Sequence, residues 1–329
     1  MTKTNQQKVK DFLINNGVII VMFILVIYTG FTSDNFFTKN NFMNILMNMS
    51  SRLVIALGIA GCVITAGCDL SAGRMIGFGA CISGMLLQRM DYSGKFFPDM
   101  QPLNVFVVAL IAMLVCAAFG TVTGFFIAYL NVPPFIATLA MMEIVYGIGL
   151  IVTNATPLGG YVEQYTNVSN GKFLGINYLI WIAIIVAAIT WFIFNMTRHG
   201  KYMYAIGGNP QAAEVAGVPV KATLILIYMK AAAMYGLAGF MLGAKSGGAS
   251  VQLGYGYEME AIAACTIGGV SVTGGRGKVS SAFVGVAVFE LLKVALQYLG
   301  MNANAQYIAI GVVIFIAISL DIRKYIARK

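Results

Sequence analysis

The chain has 329 residues, of which 59% are hydrophobic and only 10% charged, with 21 Lys and Arg against 12 Asp and Glu. So few charges exclude a water-soluble globular domain and place the chain among integral membrane proteins, whose helical spans each need ~20 apolar residues. The net charge of +9 is spread over many loops and gathers on no single face, which excludes a nucleic-acid-binding role and ties the charge to membrane orientation.

In chain order, apolar runs at 13–32, 53–68, 73–88, 103–130, 134–153, 177–197, 222–244, 259–272, 279–299 and 305–321 predict an all-α polytopic membrane protein. About ten transmembrane helices are expected, within a range of 8 to 11, and the eighth run is short enough to be re-entrant. The first run follows Lys3, Lys8 and Lys10 as a secretory signal would. Tyr28-Thr29-Gly30-Phe31 holds no small-x-small cleavage pattern, so this run reads as an uncleaved span. With the N-terminus in the cytoplasm, twelve basic residues at 3–10, 198–221, 276–278 and 323–329 lie inside. Six (Lys39, Arg52, Arg89, Lys95, Lys172 and Lys245) lie outside, which supports an even span count with both termini cytoplasmic. The loop at 198–221 is then cytoplasmic and that at 154–176 external. No loop is long enough for a separate domain, so 1–329 reads as one transmembrane domain.

After the second run, Thr65-Ala66-Gly67-Cys68-Asp69-Leu70-Ser71-Ala72-Gly73-Arg74 sets a carboxylate and a guanidinium between apolar stretches. At bilayer depth each charge costs roughly 2.5 to 3.5 kcal/mol and needs a partner or a watery cavity. A tight hairpin at the membrane surface would instead leave both solvated, and spacing alone leaves the two readings open. Glu143 and Lys230 lie inside runs with no partner nearby in sequence, so they line a pathway or pair across helices. Glu290 and Lys293 are three residues apart on one helix face and are expected to neutralise each other. Gly120/Gly124, Gly239/Gly243 and Gly243/Gly247 have the small-residue spacing that lets helices approach closely in lipid. Cys62, Cys68, Cys81, Cys116 and Cys265 all fall in apolar runs without CxxC spacing and read as packed free thiols.

Within the 198–221 loop, Asn209 is a good N-cap, Pro210 suits a first helical turn and Gly217 supplies a stop. The helix between them is ~10 Å long, too short to stand without something to pack against. It is either a docking device or a surface turn joining two spans. Val272-Thr273-Gly274-Gly275-Arg276 echoes Leu70-Ser71-Ala72-Gly73-Arg74, and paired breaks in two halves point to a transport pathway. Gly274-Gly275-Arg276-Gly277-Lys278 is no phosphate loop, since Val272 and Val279 stand where Gly and Ser or Thr belong. The one histidine, His199, belongs to no HExxH, and GxSxG is absent too, so no catalytic residue, metal or cofactor is expected.

These motifs resemble the permease subunits of bacterial ABC importers for monosaccharides, the family of the ribose and galactose systems, over essentially the whole chain. Thr197-Arg198-His199-Gly200-Lys201, Ala205-Ile206-Gly207-Gly208-Asn209-Pro210 and Ala212-Ala213 through Gly217 match its cytoplasmic motif. Asp69-Leu70-Ser71-Ala72-Gly73 matches its Asp-Leu-Ser-x-Gly signature, and 131–139, beginning at Asn131, resembles the segment before its fifth span. Within the family the galactose and methyl-galactoside branch is nearest, through 69–74, Leu86-Leu87-Gln88, Phe97-Pro98, 258–264 and Gly268-Gly269-Val270-Ser271. Ala140 and Glu143 depart from the pattern, at positions where the family has Gly and an apolar residue.

The resemblance implies a homodimeric channel in the bacterial inner membrane, working with cytoplasmic ATPase subunits and an extracytoplasmic sugar-binding protein. The helix near 210–216 would dock on the ATPase through Gly207, Asn209, Pro210, Ala213, Glu214 and Gly217. Asp69, Ser71, Arg74, Asn131 and Glu143 would serve gating or the pathway. A neutral sugar gains nothing from the membrane potential, so concentrating it takes ATP or a coupled ion gradient. The expected function is import of galactose or a methyl-galactoside, with ribose or another pentose or hexose as alternative cargo. An ion-coupled secondary sugar transporter is the alternative that the paired breaks allow.

Overall fold

The computed structural model describes residues 5–326; Lys3, Arg328 and Lys329, part of the orientation count, lie outside the described residues. Ten helices overlap the ten apolar runs, though the helix over the second run, expected at 53–68, spans Lys39–Ile64. The first four are α1 (Asn5–Thr32), α2 (Lys39–Ile64), α3 (Ala72–Leu86) and α4 (Val105–Tyr129), followed by α5 (Pro134–Thr153). A short α6 (Glu163–Asn170) and a hairpin of β1 (Lys172–Phe173) with β2 (Ile176–Asn177) lead to α7 (Tyr178–Met196). Then come α8 (Arg198–Gly208), α9 (Pro210–Val215), α10 (Val220–Ser246), α11 (Tyr257–Gly268), α12 (Val279–Tyr298) and α13 (Ala303–Ile326). Among the described residues six helices, α2, α4, α5, α7, α10 and α12, are long and apolar enough to cross a membrane by length and composition. α1, α3 and α13 carry shorter apolar stretches. α11 has 12 residues, ~18 Å of helix against a hydrocarbon core of ~30 Å.

The helices run between two ends of one bundle. At the end that holds α8 and α9, the Gly275 amide bonds the Ile64 carbonyl at 2.8 Å. At the opposite end, Leu158 and Ala249 exchange backbone hydrogen bonds of 2.8 and 2.9 Å. The chain from Ala249 to Gly275 therefore crosses the bundle with helix over only its middle part, α11, and irregular backbone on either side. Residues 65–71 with α3 make a comparable broken crossing. Irregular backbone at such depth survives only where protein buries it or where it lines a watery cavity.

α10 is the axis around which α2, α3 and α4 pack, and small residues set how near they come. A Cβ on Gly239 would stand 2.2 Å from the Ile76 carbonyl oxygen, and one on Gly120 2.4 Å from that of Tyr228. Lipid tails are as apolar as leucine, so this close van der Waals fit is what holds helix to helix. The Gly243/Gly247 pair behaves differently from expectation. Gly247 ends α10 in the left-handed region at φ 67° and a Cβ there would meet nothing within 4 Å, so it stops the helix instead of packing it.

Charges inside the bundle also depart from the sequence reading. Arg52 sits in the middle of α2, not in an external loop. Glu290 and Lys293 do not pair with each other. Arg52 Nε meets Glu290 Oε2 at 2.9 Å, Arg52 Nη1 pairs with Glu260, and Lys293 Nζ meets Glu260 Oε1 at 2.5 Å. Spacing of i and i+3 makes neighbours on one face, but each side chain reaches the opposite charge that α2 or α11 supplies. Of the five free cysteines, Cys62, Cys81, Cys116 and Cys265 are buried and Cys68 partly so.

Candidate functional site

The loop at 198–221 holds two helices where the sequence suggested one. Thr197 caps α8, its Oγ1 accepting from the Gly200 amide at 3.2 Å, and α8 runs to Gly208. Three glycines, Gly200, Gly207 and Gly208, hide this helix from a propensity reading. Asn209 turns extended at φ −163° and its Oδ1 accepts from the Ala212 amide at 2.9 Å, starting α9 with Pro210 in its first turn. Gly217 at φ 82° stops it, with the Gly217 and Val218 amides bonding the Glu214 and Ala213 carbonyls at 2.9 and 3.0 Å.

Ala213 is the one buried residue of α9 and faces the body of the protein. Pro210 and Glu214 are exposed, and Val215 is 91% exposed. An apolar side chain presented by a helix of six residues is a contact waiting for a partner. Its signal was an isolated Val in a polar insert. Half-buried His199 on α8 has its pKa lowered to about 4 by burial and then by nearby Lys230, so it is neutral near pH 7.

Gly207 joins this loop to the two breaks. A Cβ there would stand 1.8 Å from the Ile64 carbonyl oxygen, at the end of α2, and 2.5 Å from the Gly275 nitrogen. Gly274 comes equally near from the other side, its notional Cβ 2.6 Å from the Gly207 carbonyl oxygen and 3.0 Å from the Ala66 methyl. Tyr204 on α8 donates to the Gly277 carbonyl at 2.8 Å. The end of α2 at 64–66, where the first break begins, and the turn at 274–275 in the second thus meet at one joint, locked to the capped loop.

Asp69 and Arg74 are not partners. Asp69 is 2% exposed, and its Oδ1 accepts from the Ser71 amide at 3.0 Å and hydroxyl at 2.6 Å. Neither a solvated surface hairpin nor an Asp69–Arg74 ion pair describes this segment. Arg74 lies over the Tyr146 ring of α5 at 3.9 Å and its Nη1 donates to Gln252 Oε1 at 2.7 Å. Glu143, one turn before Tyr146, is exposed at the midpoint of α5. Asn131 sits apart from this group, exposed at φ 53° in the turn between α4 and α5. Arg74, Gln252 and the Tyr146 hydroxyl form a polar strip at mid-depth, with Glu143 one turn away on α5, which lipid cannot cover cheaply. Sequence reading missed Gln252, which has no charge to mark it.

A family model described as the branched-chain amino acid transport system, permease component, matches residues 41–318. The chain belongs to this permease family. The permease is 39% identical over 336 residues to the galactose/methyl galactoside import permease protein of Escherichia coli, with 100% of each chain covered. It is 40% identical over 336 residues to the protein of that name from Haemophilus influenzae, again over 100% of each chain. It is 32% identical over 319 residues to the ribose import permease protein of Escherichia coli, covering 96% of each. These full-length similarities bear out the resemblance to sugar-importer permeases. The permease is a multi-pass membrane protein and a transport component, not an enzyme. No solved structure matches it.

Proposed function

We propose that the permease forms the translocation pathway of an ATP-driven monosaccharide importer in the bacterial inner membrane, with galactose or a methyl-galactoside as cargo. The observation that carries this reading is the joint at Gly207. An exposed, capped helix with an apolar tip is wired through backbone contacts to the breaks before α3 and α12, which is how a force applied from outside the chain would reach its interior. In this reading α9 lies in the cytoplasm, docks on an ATPase subunit, and both termini face the same side. Gly207 transmits, Asn209 and Pro210 hold the start of α9, Ala213 seats it, Glu214 and Val215 face the ATPase, and Gly217 ends it. The polar strip of Arg74 and Gln252 faces a second copy across the pathway, Glu143 on α5 lines the same pathway, and Asp69 with Ser71 fixes the entry to α3. Asn131 belongs to the same hinge end. A sugar-binding protein delivers cargo to the opposite end. The cargo follows the relatives' names, two of them for galactose and methyl galactoside.

Uptake of labelled galactose into proteoliposomes tests this. The permease with its ATPase and binding protein accumulates sugar only with internal ATP. Accumulation by the permease alone under an ion gradient refutes the reading and makes it a secondary transporter.

A further inference from the structure

The polar strip holds a cluster that the coupling joint does not use. The Arg74 guanidinium lies between two aromatic rings, 3.9 Å from the Tyr146 centroid and 4.5 Å from that of Tyr255. Its Nη1 donates to Gln252 Oε1 at 2.7 Å, and Gln252 Nε2 donates onward to the Tyr146 hydroxyl at 2.8 Å. Gln252 and Tyr255 are exposed. Two buried polar atoms beside them lack partners: Arg74 Nε, and Oε2 of Glu258, a residue 5% exposed that sits behind Gly73. A buried donor and a buried acceptor left open in one cluster mark a site that is incomplete on its own.

Depth locates the cluster within the membrane. Tyr146 is the thirteenth of the 20 residues of α5, ~11 Å of helix from one end and ~18 Å from the other. An arginine cage that served only to tie helices together would be closed over. Here an amide and a phenol ring point outward at the depth where lipid tails would otherwise lie, so water or a passing solute meets them.

The chemistry selects the solute. Arg74 is already held by two rings and an amide oxygen, and the Glu258 carboxyl stands behind the neighbouring Gly73, so an anion meets no free positive charge. A cation is repelled by Arg74. A neutral polyol fits, because its C–H face lies on a tyrosine ring while its hydroxyls both give and take hydrogen bonds with Gln252.

We propose that Tyr146, Gln252 and Tyr255, arranged around Arg74, form a contact site for the monosaccharide midway along its path. This rests on the importer reading. The site holds sugar weakly, since a conducting pathway must let its cargo leave. It discriminates among sugars by which hydroxyl meets Gln252.

The test uses the complete importer in proteoliposomes, with initial uptake of labelled galactose and ribose measured beside ATP hydrolysis. Loss of one hydrogen bond or one stacking face predicts that Gln252→Leu and Tyr255→Ala each slow galactose uptake by about fivefold. ATP hydrolysis stays at the wild-type rate and the galactose-to-ribose ratio changes. Tyr255→Phe, which keeps the ring, stays near wild type. Gln252→Asn, which keeps the amide but moves it, shifts the ratio as well and serves where Gln252→Leu fails to assemble. Unchanged uptake and ratio in these variants overturn the site. So does a fall of both sugars and ATP hydrolysis by one common factor, which would make the cluster structural support only. A wild-type complex with no ATP-driven uptake of either sugar overturns the importer reading itself.

Discussion

Replacing Gly207 by alanine sets two effects of opposite sign against each other. Alanine favours helix over glycine by about 1 kcal/mol, and Gly207 lies within α8. Against this, the new methyl would stand 1.8 Å from the Ile64 carbonyl oxygen and 2.5 Å from the Gly275 nitrogen. Both are backbone atoms, so relief must move the end of α2 or the turn before α12, and no side chain can simply swing away. Overpacking of this kind costs about 1 to 3 kcal/mol, and separating the Ile64–Gly275 hydrogen bond adds about 1 kcal/mol. The clash therefore wins by about 1 to 3 kcal/mol. Gly208 supplies the matched control, since a Cβ there meets nothing within 4 Å. Thermal unfolding of the purified permease, with sugar-stimulated ATP hydrolysis of the assembled importer, reads both. Gly207→Ala lowers the unfolding temperature and uncouples hydrolysis from uptake, whereas Gly208→Ala does neither. Equal behaviour of the two variants would refute the joint.

Other changes have definite outcomes. Asn209→Ala removes the cap on the Ala212 amide and weakens α9 by about 1 kcal/mol, so ATP coupling falls while the amount of permease in the membrane is unchanged. Glu260→Gln leaves Arg52 and Lys293 short of a countercharge and destabilises the bundle by about 3 kcal/mol, read as a lower unfolding temperature; an unchanged value sinks the claim. His199 titrates at about 4 when folded and near 6.5 when unfolded, so the unfolded chain takes up its proton first. The stability tied to neutral His199 is fully present above pH 6.5 and declines as pH falls toward 4. His199→Gln should flatten that part of the stability profile, and an unaltered slope would show that His199 has no part in it.

The parts of the fold legible in the sequence are those written in apolar run length and capping chemistry. All ten runs became helices, and Asn209, Pro210 and Gly217 bound α9 because each imposes its geometry on its own backbone. What escaped depends on distant partners. Glu290 and Lys293 looked like a pair because only they were near in sequence, yet Arg52 and Glu260 claim them in space. Arg74 and Asp69 looked alike as charges in a break, but one is caged by tyrosines from two other segments and the other bonds its own neighbour Ser71. The internal echo of 70–74 and 272–276 marked two breaks but not their joint, which lies at 64–66 against 207 and 274–275.

The broken crossing of 65–71 and α3 bears on how the permease is made. α3 has 15 residues, ends short of a bilayer's thickness and carries Arg74 in its first turn, so it has little reason to leave the translocon for lipid unaided. Its neighbours supply that reason: Gly79 fits against Gly236, and a Cβ on Gly239 would meet Ile76. Both glycines belong to α10, which is synthesised long after α3. α4 and α5 also pack on α3, but the seat for Gly79 is missing until α10 arrives. Assembly of this permease is in that respect ordered from the middle of the chain outward, and a nascent chain cut before residue 220 should fail to integrate α3.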